Sequence, residues 1–101
     1  MFVILSMEKK KKEVRSIVLR GKRFAFKKSG NLKKLYGYCT SPLDTNRAII
    51  IDKNLKGQQE LDTIIHEMLH ACFWDVGEDA IGEAASDIAK ALWRMGFKKS
   101  E

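Results

Sequence analysis

Proline occurs once in these 101 residues, at Pro42, and cysteine twice, at Cys39 and Cys72. Two cysteines without CxxC spacing are too few for a disulfide framework, so a reducing, cytoplasmic setting is expected. Long apolar runs are missing as well. None approaches the ~18–20 residues that cross a bilayer, so no membrane span is expected. Residues 2–5 form only a short apolar stretch, and the lysines at 9–12 come after it, whereas a secretory signal carries its charge first. No export signal is therefore read here, and Met7 is an alternative start to Met1. No repeat and no internal linker breaks the chain. With 45% hydrophobic and 32% charged residues, the composition is that of a folded domain rather than a disordered chain. Residues 1–12 read as a basic, flexible tail, and residues 13–101 as one small domain.

Charge is plentiful but unevenly spread. The net +6 divides into +10 over residues 1–35, with twelve Lys and Arg against Glu8 and Glu13, and −4 over residues 36–101, with seven against eleven acidic residues. A basic front half could steer an anionic partner such as nucleic acid, although a solvated basic surface gives the same pattern.

The hydrophobic pattern predicts strands first and helices second. VRSIVL (residues 14–19) is β-rich, Gly21 and Lys22 offer a tight turn, and RFAFK (residues 23–27) alternates as a half-buried strand does. Tyr36 and Tyr38 alternate around Gly37, the segment at 40–46 reads as loop, and AIIID (residues 48–52) as a short strand with a polar end. From Gln58 the period changes: Leu61, Ile64, Ile65, Met68 and Cys72 recur at helical spacing, predicting a helix that ends near Asp75. Gly77 punctuates, and Glu78 and Asp79 place acid in a new first turn, where the helix dipole favours it. Ile81, Ala85, Ile88, Leu92 and Met95 give the second helix its stripe, and Gly96 its stop. The expected fold class is α+β: an antiparallel sheet of three to four strands followed by two packed helices.

The first helix carries His66-Glu67-Met68-Leu69-His70, an HExxH motif. Residues four apart lie one turn above each other, so both imidazoles can reach one cation, and zinc is the cation this motif suits. Glu67, about 100° round the helix from His66, is placed to take a proton from water activated by the metal. The two histidines face away from the apolar stripe, which argues against their being core residues. A catalytic zinc usually has a third protein ligand. Glu83 and Asp87 on the second helix are four apart, which suits Glu83 as the ligand and Asp87 as the carboxylate orienting a histidine. Glu78 is the alternative third ligand, although the helix dipole accounts for it without a metal.

HExxH followed by a helix bearing Gly82-Glu83-Ala84-Ala85-Ser86-Asp87 resembles the glutamate-zincins, the thermolysin-like metallopeptidases, in their minimal single-domain form, and is similar to small HExxH proteins of phages and bacteria. The resemblance covers roughly residues 48–96. It implies a zincin-like core, zinc held by His66, His70 and Glu83, Glu67 as general base, and a peptide or protein substrate. It also likens the strand at 48–52 to the edge strand that holds the peptide in such enzymes. No Tyr or His follows Glu83 to serve as a transition-state donor. Tyr36 and Tyr38 are the remaining candidates, and aromatic core packing suits them better. Cys72, about 200° from His70 on the helix, is expected in the core, and Phe73, Trp74 and Trp93 are expected to pack the helices together.

Two functions follow from the sequence. One is a zinc-dependent metallopeptidase or related hydrolase. The other is a non-catalytic, zinc-stabilised module that binds nucleic acid or an acidic partner through its basic N-terminal half. Structural zinc sites more often close with cysteine and leave an HExxH glutamate without a task, which favours the hydrolase.

Overall fold

The computed structural model describes residues 13–30, 32–33 and 35–98, so the basic tail at 1–12 lies outside it. Its elements run β1 (Ser16–Leu19), β2 (Lys22–Ser29), β3 (Gly37–Cys39), β4 (Ala48–Asp52), α1 (Gly57–Cys72) and α2 (Glu78–Arg94). The α+β architecture matches the sequence pattern: one four-stranded sheet, then two helices. The sheet itself is mixed rather than antiparallel. Its order is β1-β2-β4-β3; β1–β2 and β3–β4 pair antiparallel, but β2 and β4 run parallel, with Phe26 opposite Ile49 and Lys28 opposite Ile51. Parallel neighbours need a long crossover, and residues 30–47, β3 included, provide it.

This topology moves the edge. AIIID was the expected edge strand, yet β4 lies between β2 and β3, and its three isoleucines are buried. The two edge strands are β1 and β3. Gly37 is required in β3 by close approach. A Cβ at this position would lie 2.8 Å from the Ile50 carbonyl oxygen and 3.1 Å from Thr63 Cγ2 of α1. The missing side chain lets β3 nest between β4 and α1.

The core lies on one face of the sheet. Phe24, Ile49 and Ile51 are fully buried against Ala71 of α1, with Ile64 and Met68 packed beside them. Two polar ties fix α1 on this layer. Glu60 is buried and accepts a hydrogen bond from Lys28 Nζ at 2.6 Å, joining the first turn of α1 to β2. At the other end Arg20 Nη1 donates to the Cys72 carbonyl at 2.8 Å, placing positive charge at the helix C-terminus, where the dipole favours it.

The most buried positions of α1 are Glu60, Thr63, Glu67 and Ala71, whereas the expected stripe from Leu61 to Cys72 is only half-buried. The helix is covered on two sides. The sheet takes the line 60–63–67–71, and α2 covers a second side. Among the described elements α2 touches only α1, through Ile81, Ala85 and Ala89; Ile88 and Met95, assigned to the stripe by their hydrophobicity, are exposed. The helix boundaries lie close to expectation, with α1 ending at Cys72 rather than Asp75. No helix among the described residues is long and apolar enough to cross a membrane.

Candidate metal centre

Five residues connect the end of α1 to the start of α2, and that brevity shapes the site. A turn from Val76 N–H to the Phe73 carbonyl, 3.0 Å, reverses the chain. Glu78 therefore opens α2 beside the last turns of α1. Its carboxylate is hydrogen-bonded to His70 Nε2 at 2.8 Å and lies 3.0 Å from His66 Nε2. One carboxylate is thus gripped by both imidazoles, and the three residues form a group whose ligand atoms lie within 4.8 Å of one another.

The third member is Glu78, not Glu83. Glu83 and Asp87 are both exposed, and neither makes a hydrogen bond or ion pair among the described residues. The reason is helical geometry. Glu78 stands in line with Ala85 and Ala89 on the face of α2 that meets α1, whereas Glu83 lies about 140° round from Glu78. Gly82 approaches His66 from this buried face, and a Cβ there would lie 3.8 Å from the ring's Cε1. The expected orienting bond from Asp87 to a histidine is therefore absent. A wheel centred on Ile81, Ala85 and Ala89, rather than on the larger apolar residues, would have placed Glu78 on the side of α2 that faces α1, where its side chain is still exposed.

Glu67 occupies the neighbouring position. It is 7% exposed, and its carboxylate has no hydrogen-bond or ion-pair partner among the described residues. Burial pushes its pKa above the ordinary carboxylate value, the two histidines pull it back, and Glu78 pushes it up again. An unpartnered buried carboxylate is costly and uncommon, and such groups cluster at functional sites.

These residues line a cavity of about 560 Å³ that runs along α1 from Gln59 and Asp62 past Thr63, His66, Glu67 and His70 to Trp74, with residues 35–39 as its opposite wall. Tyr36 and Tyr38 do not pack the core: they are exposed and border this cleft. Trp74 and Phe73 are exposed as well rather than buried between the helices. Trp74 stands edge-on to His70, with ring centroids 6.4 Å apart, and Phe73 lies beneath the Arg20 guanidinium at 5.6 Å. Cys72 is half-buried, as is Cys39, which lines the cleft. Burial, and then the charge of Glu67, push the Cys39 thiol up to about 12, and it donates to the Thr40 carbonyl at 3.2 Å. A thiol held in this form is neither a ready ligand nor a nucleophile. The lining contributed by Gln59, Asp62 and Thr63 escaped the sequence reading, because these residues carry no motif. Their spacing of seven, four and three from His66 was the available signal.

Comparison with known proteins adds no relative: no family model, no curated protein and no solved structure matches the chain.

The chemistry of the donor set suits a metal. Two imidazole nitrogens and a carboxylate oxygen form a common zinc set for catalytic sites. Tetrahedral ligands at 2.0–2.1 Å from a zinc ion lie about 3.3 Å from one another, and the three ligand atoms here lie within 4.8 Å of one another. No Lys or Arg among the described residues lines the cleft. The basic strands β1 and β2 lie on the far side of β4 from the β3 edge.

Proposed function

We propose that the protein is a zinc-dependent hydrolase of peptides, with His66, His70 and Glu78 as the metal ligands and Glu67 as the general base. The observation that carries this reading is Glu67, buried and unpartnered beside a His-His-Glu group in an open cleft. A purely structural metal site would be better served by a neutral, packed residue at that position.

Zinc bound there would supply Lewis acidity, polarising a scissile carbonyl and lowering the pKa of water towards neutrality. The chain's residues do the rest. Glu67 accepts the proton from the attacking water and delivers it to the departing amine nitrogen, a single carboxylate serving both steps. Burial keeps that carboxylate free of competing water. The β3 edge, which borders the cleft, offers unpaired backbone groups to an extended peptide and can align it across Glu67 by strand addition. Trp74 closes one end of the cleft with an apolar wall. Peptides are favoured over other amides and esters because a free strand edge beside the reacting centre recognises main chain.

The choice of third ligand is tested by zinc affinity in matched Glu78→Gln and Glu83→Gln proteins. The first should bind zinc at least tenfold more weakly, because a ligand charge is lost, and the second should equal the wild type. Weakened binding in Glu83→Gln alone would reverse the assignment.

A further inference from the structure

Asp62 lines the same cleft, one helical turn before His66, and is half-buried. Among the described residues it makes no hydrogen bond and no ion pair. It lies five residues past the start of α1, outside the first turn, so the helix dipole does little to explain it. Among the described residues no lysine or arginine lines the cleft. A half-buried carboxylate in a groove whose described lining holds no cation can receive a positive group from a ligand.

We propose that Asp62 is a specificity determinant that selects a lysine or arginine side chain next to the hydrolysed bond. The inference rests on the hydrolase reading above. Geometry sets the match: side chains four apart on a helix are separated by about 5–6 Å, which is the reach of a lysine or arginine stem from a backbone held at the histidines. Gln59, one turn further along the same wall, adds an amide that can bond the same cationic head. The opposite end of the cleft is Trp74, so the groove is polar at the Asp62 end and aromatic at the other. Asp62 does not belong to the group of ligand atoms at Glu78, so its charge is free to serve a substrate.

The test uses amino-acid hydroxamates, which chelate zinc and carry one side chain into the cleft. Arginine hydroxamate and its neutral near-isostere, norleucine hydroxamate, are titrated against the zinc-loaded wild type, Asp62→Asn and Asp62→Glu. A charge-assisted contact predicts that the wild type binds the arginine compound about tenfold or more tightly. Asp62→Asn should bring the two compounds within about twofold by abolishing that contact, with the norleucine affinity and zinc content unchanged. Asp62→Glu should restore part of the preference. Equal affinity of both compounds for the wild type, or a preference that persists in Asp62→Asn, would overturn the role of Asp62 while leaving the metal centre intact. If neither compound binds, the metal centre fails and this inference fails with it.

Discussion

Glu67→Gln is expected to keep zinc and lose peptide hydrolysis by about a thousandfold or more, the scale on which a positioned general base acts when it also orients water. Gln retains the shape and the buried volume of Glu67, so the His66–His70–Glu78 group should be undisturbed, and zinc content should stay near one per chain. What disappears is the group that takes the proton. The same substitution has an opposite effect on stability. Burial favours the protonated form of Glu67, so the metal-free wild type loses stability as pH rises through the raised pKa of this carboxyl. The Gln variant carries no such charge and should melt at a higher temperature than the metal-free wild type at neutral pH. A variant with wild-type turnover of a working peptide would remove Glu67 from the mechanism. Lower thermal stability would show that the buried carboxylate has a partner after all.

The second large effect concerns the histidines. His66→Ala and His70→Ala each remove one of two imidazoles held at 3.0 and 2.8 Å from Glu78. Each single variant should lose zinc affinity by at least a hundredfold, because a two-ligand remnant cannot hold the ion against solvent. Both variants should stay folded, since the hydrophobic cluster of Phe24, Ile49, Ile51 and Ala71 contains neither ring. Competition with a chromophoric chelator measures the affinity, and far-ultraviolet circular dichroism the fold. Wild-type zinc affinity in both variants would end the metal reading.

The parts of this protein that were legible in the sequence are those set by local pattern. Both helices, the two turns of glycine that bound them and the HExxH group depend on spacing within one segment. What escaped depends on which segments meet. The parallel pairing of β2 with β4 joins residues more than twenty apart, the edge position of β3 joins residues ten or more apart, and no local alternation encodes either. Glu83 was favoured over Glu78 because its spacing from Asp87 suggested a ligand and its orienting carboxylate, yet Glu78 is the carboxylate that stands beside the two histidines, and Ile88 and Met95 of the expected stripe are exposed. Packing against α1 selects small residues instead, and Glu78, in line with Ala85 and Ala89, meets the histidines at the exposed rim of that contact. The buried polar line of α1 was hidden for a related reason: Glu60 is buried with its bond to Lys28, and Glu67 beside the histidines with no hydrogen bond from its carboxylate among the described residues. A hydrophobicity scale counts both as surface. Tyr36, Tyr38 and Trp74 read as core by their size, yet they border a cleft whose wall exists only once β3 lies against α1.

The central claim is that two imidazoles and one carboxylate, with no sulfur, hold zinc in the cleft beside Glu67. An X-ray absorption spectrum of the zinc-loaded protein reads that directly. The predicted spectrum shows imidazole scattering from two histidines and nitrogen or oxygen neighbours at about 2.0–2.1 Å. A sulfur shell at about 2.3 Å, placing Cys39 or Cys72 on the metal, would contradict it.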